Sequence, residues 1–246
     1  MTAHAAASPS SAAMWMNCPA SITKSKGMTR PSSRYAREGT AAHMIAEMII
    51  SGCLWPPGKI TVEGEQFIVG LPMLRALNPY IDYVQKLQKI TDEVYVEQRV
   101  KIGNGALVWG TADCAALYDE AVCIGDLKYG MGVPVDPDCA QLKIYACAAV
   151  DTLWRTEPVN MVYLTVIQPR LDPAPKTHMM TMEELAEWAA RELNPAMRRI
   201  LRGDETEKVG PYCRWCVRKA ECTAFATRRA EQAADIFNDG VDLSDA

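Results

Sequence analysis

Between residues 93 and 128 the chain reads as three β-strands in direct succession, separated only by turn residues, and this limits the fold more than any other feature. Residues 93–102 alternate apolar and polar side chains and are rich in β-branched residues, the pattern of a half-buried strand. Asn104-Gly105 then supplies a hairpin turn. Residues 109–118 read as a second strand, Asp119-Glu120 as the next turn, and residues 121–128 as a third strand. Helical patterns precede and follow this run, so the class is α/β.

Two of these strands each carry an aspartate inside an apolar run, Asp113 in the second and Asp126 in the third. Side chains alternate along a strand, so Asp126 and Lys128 share a face, with Cα atoms roughly 6–7 Å apart. A carboxylate pair with an adjacent ammonium suits a hard divalent cation, Mg²⁺ or Mn²⁺ rather than zinc. Such an ion lowers the pKa of a bound water and neutralises charge on a phosphodiester. Taken alone, Asp-x-Lys also describes an ordinary surface ion pair.

The flanking helices add polar groups to the same set. After the Gly/Pro loop at 129–134, Asp136-Pro137 reads as a helix start, with Asp136 as N-cap and Pro137 in the first turn. Gln141 and Tyr145 then fall one turn apart on one face. Upstream, Gly39-Thr40 reads as the cap of an apolar helix that carries His43 and Glu47. A histidine on an apolar helix is often a satisfied core residue; beside two aspartates it is also a candidate metal ligand that favours Mn²⁺.

In order and local context these residues resemble the RecB-like branch of the PD-(D/E)XK nuclease superfamily, near the iron–sulfur exonucleases that include the CRISPR adaptation nuclease and the AddB nuclease domain. The matching stretches are Gly39-Thr40-Ala41-Ala42-His43, Gly110-Thr111-Ala112-Asp113, Asp126-Leu127-Lys128 and Gln141-x-x-x-Tyr145. The opening Ser10-Ser11-Ala12-Ala13-Met14-Trp15-Met16-Asn17-Cys18-Pro19 and the Lys128-Tyr129-Gly130 turn are similar to a phage-encoded group of these proteins. The resemblance runs from about Ser8 to about Phe225. It implies a restriction-endonuclease-like core, a mixed central sheet flanked by helices.

The resemblance also implies roles. Asp113, Asp126, His43 and the Leu127 carbonyl would hold the metal, Lys128 would assist water attack, and Gln141 and Tyr145 would position the scissile strand. Glu97, on the first strand, is a further candidate. The implied activity is metal-dependent DNA exonuclease action on single strands or duplex ends, in phage recombination or end processing. Implied partners are DNA, a phage recombinase or single-strand annealing protein, and further copies of the chain. A DNA-binding or recombination-partner protein that does not cut, and a zinc-stabilised assembly protein, are the competing readings.

Of nine cysteines, four stand out by spacing: Cys18, and Cys213-x-x-Cys216-x5-Cys222. Three thiolates in a late knuckle plus one early thiolate fit a [4Fe–4S] cluster or a structural zinc. The resemblance points to the cluster, with segments 10–30 and 210–225 meeting at it. Cys53, Cys114, Cys123, Cys139 and Cys147 read as small apolar residues of a reducing compartment. The odd count and the lack of a visible secretory segment speak against a disulfide framework and for a cytoplasmic protein, that of the host cell if phage-encoded.

About half the residues are hydrophobic, enough for one core, so 1–230 is expected to form a single domain, followed by an acidic tail at 231–246. The net charge of −4 argues against a bulk electrostatic grip on duplex DNA. Local cations offset this: Arg30, Arg34 and Arg37; Arg191, Arg198, Arg199 and Arg202; and Arg214, Arg218 and Lys219. Trp15, Tyr212 and Trp215 are candidates for stacking on unpaired bases.

Overall fold

The computed structural model describes residues 7–29 and 31–239. Arg30 and the last seven residues of the expected tail lie outside the described residues. In chain order the helices and strands are α1 (Ala12–Trp15), α2 (Ala20–Thr23), α3 (Arg34–Ile50), β1 (Lys59–Val62), β2 (Glu65–Ile68), α4 (Leu71–Gln88), β3 (Val94–Lys101), β4 (Trp109–Tyr118), β5 (Ala121–Leu127), α5 (Ala140–Leu153), β6 (Met161–Gln168), β7 (Asp172–Thr181), α6 (Met182–Trp188), α7 (Asn194–Leu201) and α8 (Thr223–Asp239). Where a single domain was expected over 1–230, contacts divide the chain into two compact units, residues 1–10 with 31–191 and residues 11–30 with 192–246.

The first unit holds a five-stranded mixed sheet in the order β3-β4-β5-β6-β7. Every neighbouring pair is antiparallel except β5 and β6, which run parallel with α5 as the connection between them. A parallel pair needs such a crossover, and helices then cover its faces. Accordingly β5 is buried at all but one position. The three strands expected between 93 and 128 are β3, β4 and β5. The β4–β5 turn has positive φ at both Asp119 (48°) and Glu120 (59°), as a two-residue I′ hairpin requires. The β3–β4 connection is longer than an Asn-Gly turn. Ile102 N–H closes it on Val108 O, with Gly103 and Gly105 at positive φ.

Two cores sandwich this sheet. The first gathers Ala41, Ile45 and Ala46 of α3, the β1–β2 hairpin, and Leu77, Tyr80, Ile81 and Val84 of α4 against Cys114, Ala116 and Leu127. The second packs Leu142, Tyr145, Ala146 and Ala149 of α5 against Ala115, Val122, Ile124, Val162 and Leu164. Each fully buried Leu or Ile contributes about 1.5–3 kcal/mol relative to exposure. The buried residues of α4 recur at three- and four-residue spacing, which places one stripe on the sheet. The outer strand β7 carries Pro173 and Pro175 and is mostly exposed, a protected edge.

Two helix starts differ from those expected. Helix α3 begins at Arg34, capped by the Ser33 side chain, which accepts from Ala36 N–H at 3.2 Å; Gly39-Thr40 lies inside it. Helix α5 begins at Ala140 with Cys139 as N-cap, because the Asp136 carboxylate accepts from Asp138 N–H at 2.9 Å and closes a local turn instead. Helix α8 extends through Asp239, so residues 231–239 are helix rather than tail.

In the second unit the N-terminal stretch is stitched to residues 204–208. Ala20 N–H donates to Thr206 O at 3.3 Å, and Thr23 Oγ1 to Asp204 O at 2.9 Å. Trp15 is fully buried, so it is a core residue of this unit and not a stacking platform.

Candidate functional site

Strand register brings three carboxylates level. Val96 pairs with Cys114 and Gln98 with Ala112, which sets Glu97 opposite Asp113. Cys114 pairs with Gly125, so the next step along sets Asp113 opposite Asp126. Like charges directly opposite one another destabilise a sheet, and here three acids on three adjacent strands form one row.

The backbone departs from a regular ladder at this row. Glu97 has φ +47°, a left-handed conformation within a strand, and the 97/113 pair drops out of the ladder. The Asp113 side chain takes over a backbone role, its Oδ2 accepting from Leu127 N–H at 2.7 Å. Tyr80 of α4 donates its hydroxyl to Asp113 O at 2.7 Å.

Two cationic side chains face the row from opposite layers. His43 of α3 places Nδ1 3.1 Å from Glu97 Oε1 and 3.5 Å from Asp113 Oδ1, while Nε2 lies 3.1 Å from Leu127 O. Lys128, just past β5, sets Nζ 2.8 Å from Asp126 Oδ2 as an ion pair and donates to Oδ1 at 3.0 Å. Gln141 of α5 completes the second group: its Nε2 donates to Asp126 Oδ1 at 2.8 Å, and its Oε1 accepts from Lys128 Nζ at 3.2 Å. Tyr145, one turn on, is nearly buried and shares a hydrogen bond with Gln141.

The charges tune one another. Burial works against a charged His43, yet Asp113 and Glu97 outweigh it and raise the imidazole to about 9. Burial raises Asp113 to about 7, with Asp126 and Glu97 adding to the rise and His43 and Lys128 opposing it. Burial also opposes the Lys128 ammonium, but Asp126 and Asp113 prevail and its pKa is raised. At neutral pH Lys128 is thus a fixed cation.

One ligand atom from each of His43, Glu97 and Asp113 lies within 4.8 Å of the others, the one such grouping among the described residues. The Leu127 carbonyl meets the other end of the His43 ring, at Nε2. Of the ligands expected from sequence, His43, Asp113 and Leu127 come together, and Glu97 joins them. Asp126 stands beside this group, its carboxylate engaged by Lys128 and Gln141. The donor set, mostly hard oxygens with one imidazole, fits Mg²⁺ or Mn²⁺.

Within the second unit, Cys18, Cys213, Cys216 and Cys222 line one cavity. Burial pushes the Cys216 thiol up, and the charges of Cys18, Cys213 and Cys222 add to it, which marks the four sulfurs as neighbours. Lys208 N–H points at Cys18 Sγ (3.5 Å) and Gly210 N–H at Cys213 Sγ (3.4 Å). Glu207 ties the knuckle together: its Oε2 accepts from Thr223 Oγ1 at 2.8 Å and Ala224 N–H at 3.2 Å, and Cys222 Sγ lies 3.5 Å away. The Thr223 and Ala224 bonds hold its carboxyl down at about 2. The nine cysteines are all free thiols.

Several expected phosphate-binding cations are committed to ion pairs. Arg34 and Arg37 both bind Glu65, Arg199 binds Asp204, and Arg218 binds Glu207. Trp215 is 60% exposed. No described helix is long and apolar enough to cross a membrane.

Residues 4–246 match the model of a family described as "Protein of unknown function (DUF2800)". The chain belongs to that family. Among solved structures it is similar to a protein from Eubacterium rectale described as "Putative exonuclease", at 15% identity and a TM-score of 0.47, covering 81% of this chain and 82% of that one. It is also similar to SSO0001, at 12% identity and a TM-score of 0.40, covering 88% and 85%. No residue role is carried over from either.

Proposed function

We propose that this DUF2800 protein is a metal-dependent deoxyribonuclease that hydrolyses phosphodiesters at the row of Glu97, Asp113 and Asp126. The observation that carries the reading is the row itself. Three level carboxylates and a backbone held in a rare conformation are costly to stability, and the carboxylates with their two facing cations are the parts phosphodiester hydrolysis needs. His43, Glu97 and Asp113 would hold Mg²⁺ or Mn²⁺, which supplies a lowered water pKa and charge neutralisation at the phosphate.

The chain's own residues have separable tasks. His43 gives Nε2–H to the Leu127 carbonyl, which leaves Nδ1 facing the carboxylates as a ligand atom once its proton departs. Lys128, with its raised pKa, does not serve as a base at neutral pH; its ammonium stabilises negative charge developing on the phosphate oxygens. Asp126 and Gln141 fix where that ammonium points, and Tyr145 fixes Gln141. On the resemblance described above, we extend the reading to exonuclease action on single-stranded DNA or duplex ends, in phage recombination or end processing inside the host cell.

We assign a [4Fe–4S] cluster to the four cysteines. A single zinc would draw its thiolates to about 3.8 Å of one another in a tetrahedron. The four cysteines line one cavity, and the resemblance described above favours the cluster over such a zinc. Iron and sulfide analysis of anaerobically purified protein tests this, and stoichiometric zinc would refute it.

The deciding experiment is cleavage of end-labelled single- and double-stranded DNA with Mn²⁺ or Mg²⁺ against EDTA, beside Asp126→Ala and Lys128→Ala. Metal-dependent cleavage lost in both variants supports the assignment, and the label position gives the polarity. No cleavage by wild-type protein with tight DNA binding would replace it by a binding role.

A further inference from the structure

The second unit carries a surface that the cleavage reading does not use. An open groove of about 880 Å³, mouth included, is lined by Asn17 from the early stretch and by Lys208, Gly210, Tyr212, Arg214 and Trp215 from the late one. Its lining has two cations and no acid, in a chain whose net charge is −4. Trp215 is 60% exposed, and the Arg214 guanidinium lies 5.0 Å from its ring centroid.

The other aromatic of the groove is committed to its wall. The Tyr212 ring lies so close over Gly210 that a Cβ there would sit 2.5 Å from Cε1, and its hydroxyl donates to Lys208 O at 3.0 Å. Trp215 closes the short 3-10 turn Pro211–Trp215, which is held at its start by Gly210 N–H against Cys213 Sγ. The exposed indole is therefore mounted on a fixed turn, with Arg214 over one face. A flat apolar surface flanked by cations and free of acids fits a planar base carrying a phosphate, and unpaired bases expose such faces where a duplex does not.

We propose that this groove is a subsite for single-stranded nucleic acid, with one base stacked on Trp215 and the adjoining phosphates met by Arg214 and Lys208. The assignment deepens the nuclease reading and rests on it for the class of substrate. It also explains how a chain of net negative charge holds DNA: through stacking and two local cations rather than a basic face.

The test is fluorescence anisotropy of a short labelled oligothymidylate with the full chain in EDTA, where no cleavage occurs. Trp215→Ala is expected to weaken binding about tenfold or more, and Trp215→Phe only a few-fold. Lys208→Gln and Arg214→Gln are each expected to flatten the salt dependence by about one phosphate contact. Circular dichroism and iron content of the variants report on folding. If Trp215→Ala misfolds, the two salt slopes carry the test. Unchanged affinity in folded Trp215→Ala, unchanged slopes in both cation variants, or no binding by wild-type protein would overturn the proposal and leave the groove to a protein partner.

Hydrolysis of thymidine 5′-(p-nitrophenyl phosphate) with Mn²⁺ separates the two readings, since this diester is too short to reach along a strand. Wild-type protein should hydrolyse it and Lys128→Ala should not. Absent hydrolysis alongside Trp215-dependent binding would sink the cleavage reading and leave the groove standing.

Discussion

Replacing Asp113 by Asn should make the metal-free protein more stable while removing its activity. The carboxylate sits in the middle of the acidic row, and burial raises it from 3.8 to about 7. A folded-state pKa above the unfolded value means stability that is complete at low pH and is lost as pH rises through about 7. At pH 8 the ionised Asp113 therefore costs up to about 4 kcal/mol, three pKa units at 1.36 kcal/mol each. Part of that is returned through His43, which Asp113 helps to raise to about 9. At pH 8 this proton contributes about 1 kcal/mol, one pKa unit below 9, and the contribution disappears as pH rises past 9. Asn keeps an oxygen for the Leu127 N–H, so that bond survives. The net expectation is about 3 kcal/mol, a rise in Tm on the order of 6–12 °C for a domain of this size, and a gain that fades toward pH 4. Thermal unfolding in EDTA at pH 8 and pH 4.5, repeated with Mn²⁺, reads all of this. Wild-type protein should gain stability from Mn²⁺ and Asp113→Asn should gain little. A lower Tm for Asp113→Asn in EDTA at pH 8, or an equal Mn²⁺ gain in both proteins, would refute the argument that the row exists to hold a cation.

Further outcomes follow from the same geometry. Cation uptake at His43 Nδ1 must displace a proton held up to about 9, so Mn²⁺ affinity should rise with pH from 6.5 to 9; titration calorimetry in two buffers of different ionisation enthalpy should show proton release, and none would exclude His43 as a ligand. Lys128→Ala should lower kcat about 10²–10³-fold with a smaller effect on KM, and an unchanged kcat would remove Lys128 from the mechanism. Gly125→Ala would place a Cβ 2.5 Å from Tyr83 Cε1 and 3.3 Å from Cys114 Cβ, and Tyr83 is also bonded to Thr165, so a loss of about 1–3 kcal/mol in denaturant unfolding is expected. Glu207→Gln weakens the shared anchor of Thr223, Ala224 and Arg218, so the variant should retain less iron on desalting than wild-type protein; equal retention would show that Glu207 serves helix α8 alone.

The parts of the fold that were legible in the sequence are those set by local chemistry. β4 begins and ends where alternation and the Asp119-Glu120 turn place it, and the polar groups on α3 and α5 fall on the helices expected to carry them. Helix starts were less legible because capping is a competition: Asp136 can cap a helix or close its own turn, and only the structure shows that the Asp138 N–H decides it. The two-unit organisation was half legible: the cysteine spacing and the resemblance joined segments 10–30 and 210–225, but no linker or change of composition marked their division from the rest of the chain.

Glu97 shows why a site can be half visible. In β3, Val94 and Val96 pack into the first core, but Val100, and Ile102 just past the strand, pack into the second, although all four have even numbers. β4 does the same, with Cys114 and Ala116 in the first core and Ala112 in the second. Both strands exchange faces at the level of the acidic row, and the backbone event that permits it is the left-handed φ of Glu97. A reading that extends strict alternation through residue 97 cannot place its carboxylate, because alternation is the rule that fails there. Glutamate gains nothing intrinsic from φ +47°, and glycine would adopt it without strain. The site retains glutamate, so the carboxylate matters more there than the strain. Glu97→Gly should accordingly be stable and inactive, while Glu97→Gln should keep the strain and lose cation binding; a Glu97→Gly protein with full Mn²⁺ affinity would show that the strained residue belongs to the sheet and not to the site.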